Sequence, residues 1–372
     1  MNGRDVACWH AEKLDLLSAE VYWGQDDSDE TYGQIATGTA NRLATASSPS
    51  VPLLEIKRLT KHFPIHRGII QRTKGFVRAV DGVSFHIEQG ETFGLVGESG
   101  CGKSTLGRVL LQLEKATDGE VLFEGRNLMR AGFVKGGWKR TRRDMQIVFQ
   151  DPYGSINPRW RVGDIIGEPF RVHESLRGAA KREKVEAVMQ LVGLNPAWYD
   201  RYPHEFSGGQ RQRIGIARAI ALKPKFILAD EAVSALDVSV QSQIVNLFQD
   251  LQQQLKLTYL FIGHGLNIVR HISDRIGVMY LGKLVEIAPT DVLFQHPAHH
   301  YTKALLSAIP VADPKRKRTY APIEGEMPSP TNPPAGCRFH SRCPAATLRC
   351  KEAEPELLPA GAGHWAACHH PL

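Results

Sequence analysis

The sequence predicts an α/β fold, and three features of the chain carry this prediction. Residues 226–229 and 259–262 are short apolar runs typical of buried parallel strands, and a helical pattern over residues 240–255 lies between them. Residues 91–96 form a further apolar stretch, which runs into a glycine-rich loop and then into another helical pattern. Strands that alternate with helices in this way favour an α/β core with a parallel sheet.

Length and composition indicate a globular chain that can bury a sizeable core. The chain has 372 residues, of which 42% are hydrophobic and 23% are charged, so collagen-like, disulfide-scaffold and wholly disordered chains are excluded. This length allows about two domains, or one large domain with additions. Neither an uncharged apolar run of membrane-spanning length nor a signal-peptide pattern is visible, which favours the cytosol and reduced thiols.

The charge of the chain is unevenly distributed. The net charge is +7, yet residues 1–50 carry eight acidic and three basic side chains, so the rest of the chain is strongly basic. A basic body suggests an anionic partner such as a nucleotide, a nucleic acid or a lipid surface. Residues 1–50 end in a stretch rich in Ala, Thr and Ser without periodicity, and we expect them to be a mostly disordered extension.

The other elements follow in order along the chain. Alternating patterns at residues 53–56 and 83–87 predict half-buried strands, and residues 104–113 predict a helix. Residues 160–200 have helical spacing with little strand character. Residues 310–336 contain seven prolines and a basic run at 315–318, which predicts a linker before a cysteine-bearing tail.

A phosphate-binding motif follows the apolar stretch at 91–96. Residues 97–104 read Gly-Glu-Ser-Gly-Cys-Gly-Lys-Ser and fit the pattern G-x-x-x-x-G-K-S/T. Glycines let backbone N–H groups turn inward around phosphate oxygens, and the helix N-terminus adds its dipole. We expect Lys103 to reach the β- and γ-phosphates and Ser104 to hold Mg²⁺; an ordinary glycine-rich turn is the alternative. Cys101 is interpreted as a small filler.

A carboxylate for the metal ion is expected from a second buried strand. Asp230 stands at the carboxyl end of the run 226–230, where ligands of parallel sheets bind, and Glu231 follows it. Paired acids at a strand end are often plain surface charges. Beside a phosphate loop, we interpret one acid as the Mg²⁺ partner and the other as the base that orients water.

Further motifs together resemble one family. Residues 206–213 read Phe-Ser-Gly-Gly-Gln-Arg-Gln-Arg and resemble the signature motif of the ATPase subunits of ABC transporters. Gln150 resembles the Q-loop glutamine, residues 234–237 resemble the D-loop, and His264 resembles the switch histidine. This resemblance covers residues 51–309. It implies a P-loop NTPase core, RecA-like and of the ABC ATPase type, with a helical subdomain at residues 150–224.

Other stretches narrow the resemblance to the ATP-binding subunits of oligopeptide/dipeptide permeases. They are residues 151–159 after the Q-loop, residues 202–205 before the signature, and residues 299–306. The tail, which reads Cys-Arg-Phe-His-Ser-Arg-Cys-Pro at 337–344 and His-Trp-Ala-Ala-Cys at 364–368, is similar to the C-terminal extension of that group. The expected division is therefore an extension at 1–50, a cassette at 51–290 and a C-terminal extension at 291–372.

The resemblance implies an ATPase in which each ATP lies between two cassettes stacked head to tail. Lys103, Gln150, Glu231 and His264 would be the catalytic residues, and Ser104, Gln150 and Asp230 would hold Mg²⁺. Phe63 would stack on adenine, with Phe76 as the alternative. Residues 207–209 would bind the ATP of the partner cassette. The full set expected to bind nucleotide is Phe63, Gly97, Glu98, Ser99, Gly100, Cys101, Gly102, Lys103, Ser104, Thr105, Gln150, Ser207, Gly208, Gly209, Gln210 and Asp237.

The resemblance also implies the partners. The direct partners would be separate transmembrane permease subunits and a second ABC ATPase subunit, either identical or paralogous. A substrate-binding protein would be an indirect partner, and no nucleic acid is expected as a partner. The chain would be peripheral, at the cytoplasmic face of the inner (plasma) membrane. Di- and oligopeptides are the favoured cargo, while nickel, glutathione or another small solute are alternatives. A soluble ABC-type ATPase acting on nucleic acid or ribosomes, and a cassette that binds ATP without hydrolysing it, are competing functions.

Four cysteines crowd the tail, at Cys337, Cys343, Cys350 and Cys368. Their intervals lack the C-x-x-C knuckles of a zinc ribbon, whereas four thiolates suffice for an iron–sulfur cluster, whose ligand spacing is more variable. The resemblance to the permease subunits implies a four-iron, four-sulfur (4Fe-4S) cluster. Zinc, with His364 or His369 replacing one ligand, and four reduced structural thiols are the alternatives.

The chain departs from the family around its switch histidine. Gly263 and Gly265 flank His264 at positions where Ser and Asp are usual. Two glycines loosen the backbone that aims the histidine, so we expect slower hydrolysis than in a cassette with the usual residues.

Overall fold

The computed structural model describes residues 51–67, 72–131, 137–263, 265–309, 323 and 325–372, and these belong to one compact unit. The extension predicted at 1–50, the basic run at 315–318 and His264 lie outside the described residues. Within the described ranges, no helix is both long enough and apolar enough to cross a bilayer.

Among the described residues, eight strands form the central sheet, and five neighbouring ones are parallel to each other. The strands predicted at 91–96, 226–229 and 259–262 lie in the middle of the sheet, where every residue is buried, so these predictions are confirmed. The remaining pairs are antiparallel. In spatial order the strands are β11 (Leu358–Gly361), β12 (His364–Ala366), β10 (Lys283–Pro289), β9 (Arg275–Tyr280), β3 (Thr92–Val96), β8 (Thr258–Ile262), β7 (Phe226–Asp230) and β6 (Met145–Val148).

A second, antiparallel sheet contains four strands in the order β2 (Arg72–Ile87), β1 (Leu54–Arg67), β4 (Asp118–Phe123) and β5 (Arg126–Asn127). The strands predicted at 53–56 and 83–87 are confirmed, but β1 and β2 run for 14 and 16 residues. Register shifts interrupt their pairing at several points. Because each shift disturbs the alternation of buried and exposed side chains, the alternating pattern marks only the regular part of each strand.

The helices pack on the two sheets around two hydrophobic clusters. The helix predicted at 104–113 ends earlier, because Gln112 adopts a left-handed conformation with φ 56°. Two helices occupy the region predicted as helical at 160–200. The helices are α1 (Lys103–Leu110), α2 (Leu128–Ala131), α3 (Gly137–Asp144), α4 (Val162–His173), α5 (Gly178–Leu191), α6 (Gly208–Ile220), α7 (Val238–Leu255), α8 (Leu266–Ile272), α9 (Thr290–Gln295), α10 (His300–Ser307) and α11 (Leu348–Glu352).

The cysteine-bearing tail continues the central sheet. β12 pairs with β10, with Ala366 opposite Glu286. The carboxylate of Glu286 is fully buried, and it accepts hydrogen bonds from His364 Nε2 at 2.8 Å and from the backbone N–H groups of Ala298 and His299. A buried carboxylate must be satisfied in this way, so these bonds fix the tail against the cassette.

Candidate nucleotide site and cysteine cavity

The phosphate loop runs from the end of β3 to the start of α1 and depends on its glycines. Gly102 precedes α1 with φ 109°, and a Cβ there would lie 1.9 Å from the carbonyl oxygen of Ala79. A Cβ on Gly97 would lie 2.1 Å from the carbonyl oxygen of Met279. Both contacts are with backbone and cannot give way, so the tight turn requires glycine at these two positions.

The lysine and the serine of the motif are the first two residues of α1. Lys103 is 4% exposed, and its Nζ donates hydrogen bonds to the carbonyl oxygens of Gly97 at 2.8 Å and Glu98 at 3.1 Å. The hydroxyl of Ser104 donates to Oδ1 of Asp230 at 2.8 Å. The first turn of α1 and the carboxyl end of β7 therefore meet and bring together one hydroxyl and one carboxylate.

The second acid follows β7 in an unusual conformation. Glu231 has φ 52°, which is rare for a residue with a side chain. Its N–H donates to the carbonyl oxygen of Ile262 at 3.0 Å, and the hydroxyl of Ser234 donates to its carbonyl oxygen at 2.9 Å. The residue itself is 7% exposed. Backbone strain of this kind is concentrated at functional sites.

The predicted signature motif forms the N-terminus of α6. The side chain of Ser207 accepts a hydrogen bond from the N–H of Gln210, and the Gln210 side chain accepts one from the N–H of Ser207, which is a capping box. Ser207 is exposed, and so is Asp237, which precedes α7. In the part of the chain that the structure describes, no hydrogen bond joins residues 207–210 to the phosphate loop of the same chain.

The segment after β6 contacts the signature helix. Gln150 is exposed just beyond the end of β6. The Nε2 of Gln212 donates to the carbonyl oxygen of Phe149 at 3.4 Å, and the guanidinium of Arg211 lies 4.0 Å from the ring centre of Tyr153. The segment of the predicted Q-loop and the signature helix are therefore in contact, which the spacing of the two motifs does not reveal.

The two aromatic candidates for adenine stacking lie on opposite faces of the β1–β2 ladder. Phe63 pairs with Val77, while Phe76 pairs with the next residue of β1, Pro64. Because successive residues of a strand face opposite sides, only one of the two rings can face a given side. Phe63 is half-buried with the ammonium of Lys61 at 4.4 Å from its ring centre, and Phe76 is 48% exposed.

The four tail cysteines line one small cavity. Histidines from α10 and from both ends of the tail line it as well: His299, His300, His340, His369 and His370. Burial raises the pKa of Cys337 to about 11 and also raises those of Cys343 and Cys368. Among the described residues, no group of three or more His, Cys, Asp or Glu side chains is arranged so that it could hold a metal ion. His364 pairs with Glu286 instead of lining the cavity.

One histidine of the cavity has an unused donor. The N–H of Tyr301 donates to Nδ1 of His299 at 3.0 Å, and burial, followed by the neighbouring His300, lowers the pKa of His299 to about 3. The ring is therefore neutral with its proton on Nε2. This Nε2 is buried and lacks a hydrogen-bond partner among the described residues. A buried donor of this kind requires an acceptor, and the described residues supply none.

Sequence reasoning missed a contact between the tail and the phosphate loop. Arg342 donates to both carboxylate oxygens of Glu98, and the Tyr301 hydroxyl accepts from the N–H of Glu98. Both partner residues lie in stretches that resemble the permease subunits, at 337–344 and 299–306, but no spacing or pattern predicts that these stretches meet the loop.

Comparisons with known proteins agree with this geometry. The pattern of the family described as "ABC transporter" matches residues 80–234, and that of "Oligopeptide/dipeptide transporter, C-terminal region" matches residues 285–350. The chain is 53% identical to the oligopeptide transport ATP-binding protein AppF of Bacillus subtilis, in an alignment that covers 85% of this chain and 97% of that protein. It is 49% identical to the dipeptide transport ATP-binding protein DppF of Escherichia coli, with 85% and 94% covered.

Solved structures give the same family. The cbiO1 protein from Clostridium perfringens, part of an ABC transporter complex, superposes with a TM-score of 0.56 at 25% identity, covering 66% of this chain and 91% of that one. A dimeric ATP-binding cassette with bound ADP and Pi gives a TM-score of 0.55 at 26% identity, covering 64% and 98%. The predicted fold class is thereby confirmed, and the chain belongs to the ATP-binding proteins of the oligopeptide/dipeptide ABC transporter family.

Proposed function

We propose that the chain hydrolyses ATP as a subunit of an importer of di- and oligopeptides, in which separate permease subunits cross the membrane. The hydrogen bond between Ser104 and Asp230 carries the catalytic part of this proposal, because it joins the phosphate loop to the acidic strand end in a chain of this family. The names of the relatives AppF and DppF favour peptides over nickel, glutathione or nucleic acid as the transported or bound partner.

The phosphates of ATP fit the loop and the first turn of α1. The N–H groups of Glu98 and Cys101 donate within the protein. The other backbone N–H groups of residues 97–105 and the dipole of α1 favour an anion there, and Lys103 adds a positive charge. Hydroxyl, carboxylate and amide oxygens are the donors that Mg²⁺ prefers, so Ser104, Asp230 and Gln150 are suited to hold it. A bound Mg²⁺ supplies charge neutralisation at the phosphate oxygens.

Hydrolysis requires a water molecule aligned with the γ-phosphate, and Glu231 is the base proposed for it. Its burial beside the strand end removes competing solvent, and the carboxylate can accept a proton from the water as the oxygen attacks phosphorus. The bond to ADP breaks, and phosphate leaves. His264 is proposed to contact the γ-phosphate, in line with its place two residues after β8.

A second cassette is proposed to complete each site. The N-terminus of α6 consists of the exposed Ser207 and the half-buried Gly208 and Gly209, and it suits an anion. Because residues 207–210 have no hydrogen bond to the phosphate loop of their own chain in the described ranges, they are free to bind the ATP of a partner. The chain would then sit peripherally at the cytoplasmic face of the membrane, with the exposed Gln150 segment toward the permease subunits.

We also propose that Cys337, Cys343, Cys350 and Cys368 hold a 4Fe-4S cluster. The four thiols line one cavity, and the unpartnered N–H of His299 suits a sulfide or thiolate acceptor. Each of the four thiols would supply one ligand to the cluster, which would cross-link the tail. Of the two histidines considered as zinc ligands, His364 pairs with Glu286 whereas His369 lines the cavity, so zinc with His369 stays an alternative.

Two experiments test these proposals. The chain co-expressed with its permease subunits and reconstituted in vesicles is expected to couple ATP hydrolysis to peptide uptake; ATP hydrolysis that no peptide stimulates would contradict the peptide assignment. Anaerobic purification is expected to give visible absorbance that dithionite bleaches. A colourless protein with stoichiometric zinc would contradict the cluster.

A further inference from the structure

The tail reaches the phosphate loop through one ion pair. Nη1 of Arg342 lies 3.0 and 3.2 Å from the two carboxylate oxygens of Glu98, the second residue of the loop motif. The side chain of Arg342 is 8% exposed and that of Glu98 is 26% exposed. Such a partly desolvated, charge-assisted contact is stronger than a surface salt bridge.

Arg342 is also held by a cluster of buried aromatic side chains. Arg342 also donates to the hydroxyl of Tyr280 at 3.3 Å. The ring of Tyr280 packs against Tyr301 at 4.7 Å and against Phe339 at 5.3 Å between centroids, and all three rings are buried. Because Tyr280 ends β9 and Phe339 belongs to the tail, the guanidinium is held by both the central sheet and the tail.

The N–H, the carbonyl oxygen and the carboxylate of Glu98 each have a hydrogen-bond partner. Its N–H donates to the Tyr301 hydroxyl at 2.9 Å, its carbonyl oxygen accepts from Lys103 Nζ, and its carboxylate accepts from Arg342. The N–H and the carboxylate of Glu98 are therefore held by residues outside the loop, while its carbonyl oxygen is held by Lys103 and by the N–H of Cys101 within the loop. A phosphate loop binds by the direction of its N–H groups, so a fixed Glu98 pre-organises the site.

We propose that Arg342 is a positioning residue for the phosphate loop, which acts through Glu98 and makes nucleotide affinity depend on the tail. The inference rests on the proposed assignment of residues 97–105 as the nucleotide site. It predicts an effect on binding of the nucleotide rather than on the chemical step, because Arg342 contacts the loop from the side of the tail and the proposed base Glu231 follows β7.

The primary test is Arg342→Met in the full chain, with Arg349→Met as the matched control, since Arg349 is an exposed arginine of the same tail. Titration with a fluorescent ATP analogue is expected to show about tenfold weaker binding for Arg342→Met, which corresponds to the loss of roughly one charge-assisted hydrogen bond. In steady-state kinetics, the KM for ATP is expected to rise while kcat is retained. Arg342→Lys is expected to recover part of the affinity. Unchanged affinity in Arg342→Met overturns the proposal.

A double-mutant cycle separates positioning from a general loss of stability. If Arg342 acts through Glu98, adding Arg342→Met to Glu98→Gln weakens binding little further, whereas independent effects multiply and would overturn the proposal. If Arg342→Met does not fold, Arg342→Lys with Glu98→Gln gives the same cycle. Lys103→Ala tests the underlying assignment separately: if it binds the analogue normally, the loop is not the nucleotide site, whatever Arg342 does.

Discussion

The hydroxyl of Ser104 and the carboxylate of Asp230 lie 2.8 Å apart, although 126 positions separate the two residues in the chain. The bond joins the first turn of α1 to the end of the fully buried strand β7. The phosphate loop and the acidic end of β7, which are far apart in the sequence, thus form one site. The hydroxyl oxygen of Ser104 and the carboxylate oxygens of Asp230 lie together beside the loop that suits phosphate.

Asp230→Asn is expected to remove Mg²⁺-dependent hydrolysis while leaving the fold intact, because the amide keeps the size of the side chain and loses its charge. The rate of ATP hydrolysis should fall by about 100-fold or more, the scale expected when a charged group at the reacting phosphate is lost. Asp250→Asn, an exposed acid on α7, is the matched control. A variant at position 230 that keeps more than half of the wild-type rate would contradict the metal assignment.

Phe63→Ala is expected to weaken nucleotide binding, whereas Phe76→Ala is not. The two rings face opposite sides of the ladder, so only one can stack on adenine. Loss of a stacking partner costs roughly 1–3 kcal/mol, which is measurable as a higher Kd for ATP but leaves Kd for inorganic phosphate unchanged. The reverse result would assign the stacking to Phe76.

The flanking glycines of His264 are not equally replaceable. A Cβ on Gly263 would lie 2.7 Å from Cγ2 of the buried Val269. Val269 is confined on its other side as well, because its Cγ1 lies only 2.4 Å from the place that a Cβ on Gly94 would occupy. A Cβ on Gly265, in contrast, would have only ordinary contacts. Gly263→Ser is therefore expected to lower the free energy of unfolding by about 1–3 kcal/mol, and Gly265→Asp to change it little. Denaturant unfolding measures both.

Restoring both usual residues also tests the expectation of slow hydrolysis. Gly263→Ser with Gly265→Asp, combined with Val269→Ala to make room, is expected to raise kcat because the backbone that aims His264 becomes stiffer. Val269→Ala alone is the control. Equal kcat values in the triple variant and the control would show that the glycines do not slow the reaction.

Cys350→Ser is expected to abolish the visible absorbance of anaerobically purified protein and to lower its melting temperature, because one ligand of the proposed cluster is lost. Cys101→Ala is the matched control, since Cys101 is equally buried but lies in the phosphate loop and does not line the cavity. Iron analysis accompanies both spectra. Unchanged iron content in Cys350→Ser would remove this residue from the proposed ligand set.

The sequence predicts those parts of the site that follow from local chemistry. The strand before the phosphate loop and Asp230 at the end of β7 each depend on neighbouring residues, and the structure has both where the local pattern predicts them. Burial of Cys101 raises the pKa of its thiol, which agrees with a filler rather than a nucleophile.

Long-range contacts could not be predicted in the same way. Arg342 and Glu98 are separated by 244 positions, and neither periodicity nor motif spacing indicates that they meet. The positive φ of Glu231 likewise depends on a tertiary hydrogen bond to Ile262 rather than on a residue type that prefers this conformation. The full lengths of β1 and β2 could not be predicted, because register shifts interrupt the alternation of apolar and polar residues along both strands.

The central claim is that Glu231 activates water for ATP hydrolysis in a transport complex, and Glu231→Gln in the assembled complex tests it most directly. Glutamine keeps the shape of the side chain but cannot take up a proton. The account predicts normal binding of ATP, with turnover reduced by about 100-fold or more and no peptide uptake. Retention of ATP hydrolysis and peptide uptake at wild-type rates would contradict it.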